Sequence, residues 1–153
     1  MEFHHSFSVA APPDAVWAAM TDIDRVAPCV PNTRVTGRAG QDSYDVQISA
    51  AVGPLVVTAA GNITLVEHDH ATRREVLRVV ARDSDGDMLA DATVAIVLTQ
   101  GASGTDAAVH SSVELGGIGI FVAEDTLDEV AGRTLQTFAA NLHALLAQGP
   151  GTA

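Results

Sequence analysis

The chain has 153 residues, 47% of them hydrophobic, and a formal charge of −11 from 19 acidic against 8 basic side chains. That length suits one globular domain able to bury a core, and the negative balance argues against nucleic acid and against adhesion to anionic lipid, since both need a cationic face. Every basic residue is an arginine and Cys29 is the single cysteine, which rules out a Schiff-base or phosphate-loop lysine, an internal disulfide, a Cys-x-x-Cys pair and a cysteine-held cluster.

Residues 1 to 10 alternate apolar and polar side chains, unlike a signal peptide, and no window approaches the roughly 20 apolar residues of a bilayer span. A cytoplasmic protein is expected. Phe3, Phe7 and Val9 share one face of a strand over Glu2 to Val9, and His5 falls on that face. Pro12 and Pro13 break the strand and open a short amphipathic helix from about Pro13 to Thr21, with Val16, Trp17 and Met20 on its apolar side. Asp22 or Asp24 can cap a second helical piece that Pro28 and Pro31 confine to about two turns.

From Arg34 to Leu115 the pattern is a succession of strands. Tyr44, Val46, Ile48 and Ala50 alternate, Gly53-Pro54 marks a tight turn, and Leu55 to Glu67 reads as a long strand with a bend or bulge at Gly61. Glu67-His68-Asp69-His70 reads as a polar turn. Arg74 to Arg82 alternates arginine with valine around Leu77 and Val79, and Asp85-Gly86 marks a hairpin. Met88, Ala90, Ala92, Val94, Ile96 and Leu98 line one face of the next strand, Gly101 to Gly104 turns, and Asp106 to Leu115 closes the run. With no helices between them, these strands must pair antiparallel. After Gly116-Gly117-Ile118-Gly119, Leu127, Ala131, Thr134, Leu135, Phe138, Leu142 and Leu145 follow 3- and 4-residue steps, predicting one long helix from about Phe121 to Ala147.

The fold class is therefore α+β: a curved antiparallel sheet of about seven strands wrapped around one long C-terminal helix, with two short helices after the first strand. One domain spans residues 1 to 147 and a flexible tail 148 to 153. Small residues on the sheet face, Ala50, Ala59, Ala90, Ala92 and Ala107, are expected to leave an apolar cavity beneath the helix, closed at one side by the short helices.

Four segments in order carry a family likeness: FSVAAPPDAVW (Phe7 to Trp17), CVPN (Cys29 to Asn32), VGPLVVTAAGNITL (Val52 to Leu65) and FAANL (Phe138 to Leu142). On them the chain resembles the START or birch-pollen-allergen (SRPBCC) superfamily of helix-grip proteins, and within it the carbon monoxide dehydrogenase G-subunit family, over about residues 3 to 146. Asn32 stands where that family tends to have glycine, and the chain stops soon after the helix, where the family often continues to a membrane-anchoring end. At most a peripheral membrane contact is expected. The resemblance implies a non-enzymatic accessory to a molybdenum-containing carbon monoxide dehydrogenase or related hydroxylase, holding an apolar electron acceptor such as a quinone, or a lipid, with no covalent cofactor. On that fold the ligand-lining residues are expected to be His5, Trp17, Met20, Cys29, Val30, Tyr44, Ile48, Ala59, Ala92, Val94, Leu135 and Phe138.

Other chemistry finds little support. Cys29 lies among Val26, Val30 and prolines, with Arg25 the nearest cation, and reads as a buried, inert thiol. His4-His5 and the His68/His70 pair lack a third metal ligand, and no metal is expected. Asp83 to Asp87 has its glycine too early for a calcium loop, and Val94 stands where the closing glutamate belongs. Arg74, Arg78 and Arg82 read as a solvated face paired with acids such as Asp91. The alternative function is a polyketide cyclase or aromatase-like enzyme, which the same superfamily contains; it would have to draw acid-base groups from His5, Tyr44, Asn141 or Glu124. A third reading is an adapter whose cavity is filled by its own side chains.

Overall fold

The structure, a computed structural model, describes residues 1–52 and 54–148, and at 50–52, 55, 57, 118 and 119 the backbone alone. The expected turn at Gly53, the Ala50 side chain and the tail from 149 onward lie outside the described residues. Strand β1 (Glu2–Val9) buries Phe3, Phe7 and Val9, as its alternation requires. Helix α1 (Pro13–Met20) starts with proline in its first turn, where no backbone N–H is needed, and buries Val16, Trp17, Ala19 and Met20. Asp22 caps α2 (Ile23–Val26) by accepting from the Arg25 backbone N–H at 3.3 Å, and a 3-10 turn over Ala27–Cys29 follows.

Six further strands complete the sheet: β2 (Thr33–Gly40), β3 (Ser43–Val52), β4 (Leu55–Asp69), β5 (Arg74–Arg82), β6 (Met88–Gln100) and β7 (Thr105–Leu115). Their order is β1-β7-β6-β5-β4-β3-β2, antiparallel throughout. Helix α3 (Glu124–Ala147) packs chiefly on β1 and on the 3-10 turn, completing an α+β helix-grip fold. It begins at Glu124 rather than Phe121, because Gly117, at φ 54°, leads a 3-10 segment over Gly117–Phe121.

Two strand expectations need correction. Gly61 pairs in continuous register with Val46 and Ala81, and the irregularity falls between Leu65 and Glu67 instead. A Cβ at Gly61 would meet Val46 Cγ2 and Ile48 Cδ1 at 3.0 Å, so its glycine makes room for side chains rather than a bend. The Glu67 to His70 segment is not wholly a turn: β4 runs on to Asp69, since the bulge at Val66 restores pairing of Glu67, His68 and Asp69 with β5.

The core joins α1, α2 and the 3-10 turn to the inner faces of β1, β6 and β7 and to Phe138, Ala139 and Leu142 of α3. Phe7 and Phe138 meet edge to face at 5.7 Å between ring centroids. At Gly104 a Cβ would stand 2.2 Å from the Val9 carbonyl oxygen, so only glycine lets the β6–β7 turn close against the end of β1.

Candidate functional site

Helix α3 presents two unlike faces. Leu135, Phe138, Leu142, Leu145 and Leu146 pack into the core, while Val130, Arg133, Thr134 and Thr137, spaced three and four apart, face β3, β4 and β5 with short or polar side chains. Opposite them stand Ile48 of β3, Ile63 of β4, and Leu77 and Val79 of β5, with Val30 to Thr33 closing one end. Between these walls lies a cavity of about 600 Å³, the volume of a small-molecule site.

The loop at the cavity's end depends on Asn32, whose φ of 59° is left-handed. Asparagine tolerates that conformation better than other side-chain-bearing residues, which accounts for its standing where glycine was the family tendency. Asn141 Nδ2 on α3 donates to the Cys29 carbonyl at 2.9 Å, tying the 3-10 turn to the helix.

Of the twelve residues expected to line a ligand site, Val30 and Ile48 do so in this cavity. Trp17, Met20, Cys29, Tyr44 and Phe138 are buried in the packed core, with Val94 and Leu135 packed against it; Ala59 is buried and Ala92 half-buried on the inner sheet face. His5 places Nε2 at 2.9 Å from Asp128 Oδ1 of α3, while its Nδ1 is buried without a partner. Tyr44 accepts from Arg38 Nη2 at 2.9 Å, and the guanidinium lies 4.9 Å over its ring. Ala59 pairs with Ile48 and Ala92 with Val79 on the inner sheet face, beside two of the cavity's walls, whereas Ala107 is buried in the packed core; from the helix side the space is bounded by Val130, Thr134 and Thr137. Burial raises the pKa of the Cys29 thiol, with Arg25 partly opposing it, so the thiol stays protonated and unreactive.

Sequence reasoning missed Ile63, Leu77, Val79, Val130, Arg133, Thr134 and Thr137 as lining residues. The helical ones share one face at the spacing already visible in the chain; which face meets β3 to β5 depends on how α3 lies across the sheet. His70 is more than part of a solvated turn: its Nδ1 accepts the Trp17 indole N–H at 2.5 Å, and Arg73 beside it pairs with Asp14, so α1 is clamped to the β4–β5 turn. Arg78 pairs with Asp91 at 2.7 Å, on the outer face. His68 and His70 lie 5.4 Å apart between ring centroids, and among the described residues no group of three or more His, Cys, Asp or Glu is arranged to hold a metal ion. No helix among the described residues is long and apolar enough to cross a membrane.

The backbone is similar to that of a conserved protein from Geobacillus kaustophilus, at TM-score 0.83 and 17% identity over 97% of this chain and 96% of that one. It is also similar to Ara h 8.0201, at TM-score 0.63 and 13% identity over 96% and 98% of the two chains. The ZhuI aromatase/cyclase from Streptomyces sp. R1128 matches at TM-score 0.62 and 18% identity over 100% and 98%. At these identities the likeness is one of fold. No curated protein matches the sequence. The family model of the carbon monoxide dehydrogenase G-subunit (CoxG) matches residues 6–147, nearly the whole domain, and the chain belongs to that family.

Proposed function

We propose that this protein is a non-enzymatic carrier that holds an apolar small molecule, quinone- or lipid-like, between α3 and the sheet, as accessory to a carbon monoxide dehydrogenase-type molybdenum hydroxylase. The observation that carries the reading is the cavity of about 600 Å³ walled by Ile48, Ile63, Leu77, Val79 and Val130. Each 100 Å² of apolar ligand area removed from water there contributes about 2.5 kcal/mol before ordering costs. The hydroxylase partner is inferred from family membership alone. A cyclase needs acid-base groups at its substrate, and among the described residues the lining holds no carboxylate, histidine, cysteine or tyrosine, its one charged side chain being Arg133. The lining therefore favours binding over turnover.

Mass spectrometry of the organic extract of protein purified from its own cells tests this, with a Thr134→Trp/Thr137→Phe double variant as control. Both positions lie on one helix face, Thr134 half-buried and Thr137 exposed, so the larger side chains fill the cavity without disturbing the core. The expected result is a stoichiometric apolar compound in the wild type and its loss in the folded variant. Equal recovery from both proteins would place any ligand outside this cavity, and an empty wild type would count against a carrier.

A further inference from the structure

The lining of the cavity divides by exposure. Ile48, Ile63, Leu77, Val79 and Val130 are half-buried, whereas Asn32, Arg133 and Thr137 are exposed and mark the side on which the cavity meets solvent. Arg133 and Thr137 stand four residues apart on α3, one helical turn along one face. The site therefore has an apolar body and a polar rim that carries a single cation.

The guanidinium of that cation is uncommitted. Apart from Arg25, every other arginine side chain of the protein has a partner: Arg34 donates to Gln47 at 2.7 Å, Arg38 to the Tyr44 hydroxyl at 2.9 Å and Arg82 to the Gly86 carbonyl at 3.1 Å, while Arg73, Arg74 and Arg78 pair with Asp14, Glu67 and Asp91. Arg133 makes no hydrogen bond or ion pair among the described residues. The acids closest to it in α3 are Asp128, which is held by His5 at 2.9 Å, and Glu129, which lies one turn before it and forms no ion pair with it. Across the cavity, Ile48, Ile63, Leu77 and Val79 carry no charge. A wholly apolar ligand that covers this rim strips water from the guanidinium and returns no hydrogen bond, which costs affinity. A carboxylate replaces that water with a charge-assisted, two-pronged contact.

We propose that Arg133 is the head-group anchor of the cavity and that the cargo is a carboxylate-headed amphiphile of the fatty-acid class, its head on Arg133 at the rim and its tail against Ile48, Ile63, Leu77 and Val79. This rests on the carrier reading and narrows it to a lipid-like acid. On a chain of net charge −11 most of the surface repels an anion, so a cation at the rim also decides where such a cargo is admitted.

Decanoate and decan-1-ol, equal in chain length and different in charge, test the anchor by calorimetric titration into the full chain at neutral pH, where the acid is ionised. Arg133→Gln weakens decanoate about fivefold or more and changes decan-1-ol by less than about twofold, because the cation is removed and the apolar walls remain. Arg133→Lys keeps the charge without the planar fork, and its decanoate affinity falls between those of wild type and Arg133→Gln. The Thr134→Trp/Thr137→Phe variant loses both probes. Thermal midpoints establish that each variant is folded. Equal effects of Arg133→Gln on the two probes, or none, would overturn the anchor while leaving the carrier reading intact. Decanoate bound undiminished by the cavity-filling variant would place it outside this site and overturn the anchor as well. Failure of the wild type to bind either probe would overturn both the anchor and the carrier reading.

Discussion

Without a partner for its charge, the Glu75 carboxyl holds its proton more tightly in the folded chain, at about 8, than at the ordinary value of 4.5. A raised folded-state value stabilises the native state fully below the ordinary range, and that contribution is lost as pH rises from there through about 8. By pH 7 the loss amounts to roughly 3 kcal/mol. Urea unfolding of ligand-free protein between pH 5 and 8 should show this decline in the wild type and not in Glu75→Gln; parallel curves would mean that Glu75 ionises freely. Asp91 acts in the opposite window. The Arg78 hydrogen bond lowers its pKa, so its contribution is present at neutral pH and fades only as pH falls through the acid range. Glu75 was legible in part, since it has the parity of Leu77 and Val79 rather than that of the arginines around it. That α1 would cover this end of the strand was not legible, because it depends on the Trp17 contact with His70, 53 residues away.

Among the elements, α3 does the most with the least specialised sequence. Its core face anchors it to β1, and its other face leaves space. Gly132 sits in its interior, where a Cβ would meet the His5 ring at 3.6 Å, an ordinary contact. Gly132→Ala should therefore stabilise the protein by about 0.5–1 kcal/mol, as helix propensity dictates, and raise the thermal midpoint; a lowered midpoint would show that the His5 contact with Asp128 is displaced. Asn141→Ala removes the tie to the Cys29 carbonyl and should cost about 1 kcal/mol, with faster amide exchange confined to the 3-10 turn and its flanks. Unchanged exchange there would mean that proline and packing hold the turn unaided.

At the scale of the whole molecule, the seven-stranded sheet and α3 meet closely at β1 and stand apart over β3 to β5. A ligand seated in that gap binds the native state alone and stabilises it in proportion to the logarithm of its free concentration over its dissociation constant. At a hundredfold excess over that constant the gain is about 2.7 kcal/mol, visible as a concentration-dependent rise in the thermal midpoint. The Thr134→Trp/Thr137→Phe variant should show no such rise; if it does, the ligand sits elsewhere.

The strand alternation, the proline-bounded short helices and the final 3- and 4-residue periodicity are local properties, and from them alone the α+β helix-grip architecture followed, as did the exclusion of lysine and cysteine chemistry. The family likeness rested on short stretches read in order, and it too was a property of the chain. Position within the fold was different. Whether Trp17, Tyr44 and Phe138 fill the core or line a cavity, and whether Thr134 and Thr137 face solvent or ligand space, turns on how α3 crosses the sheet. That crossing is set by packing between residues far apart in the chain, which periodicity cannot report. Only the tertiary structure decided that the cavity lies over β3 to β5 and that the Glu75 carboxyl is buried without a hydrogen-bond partner.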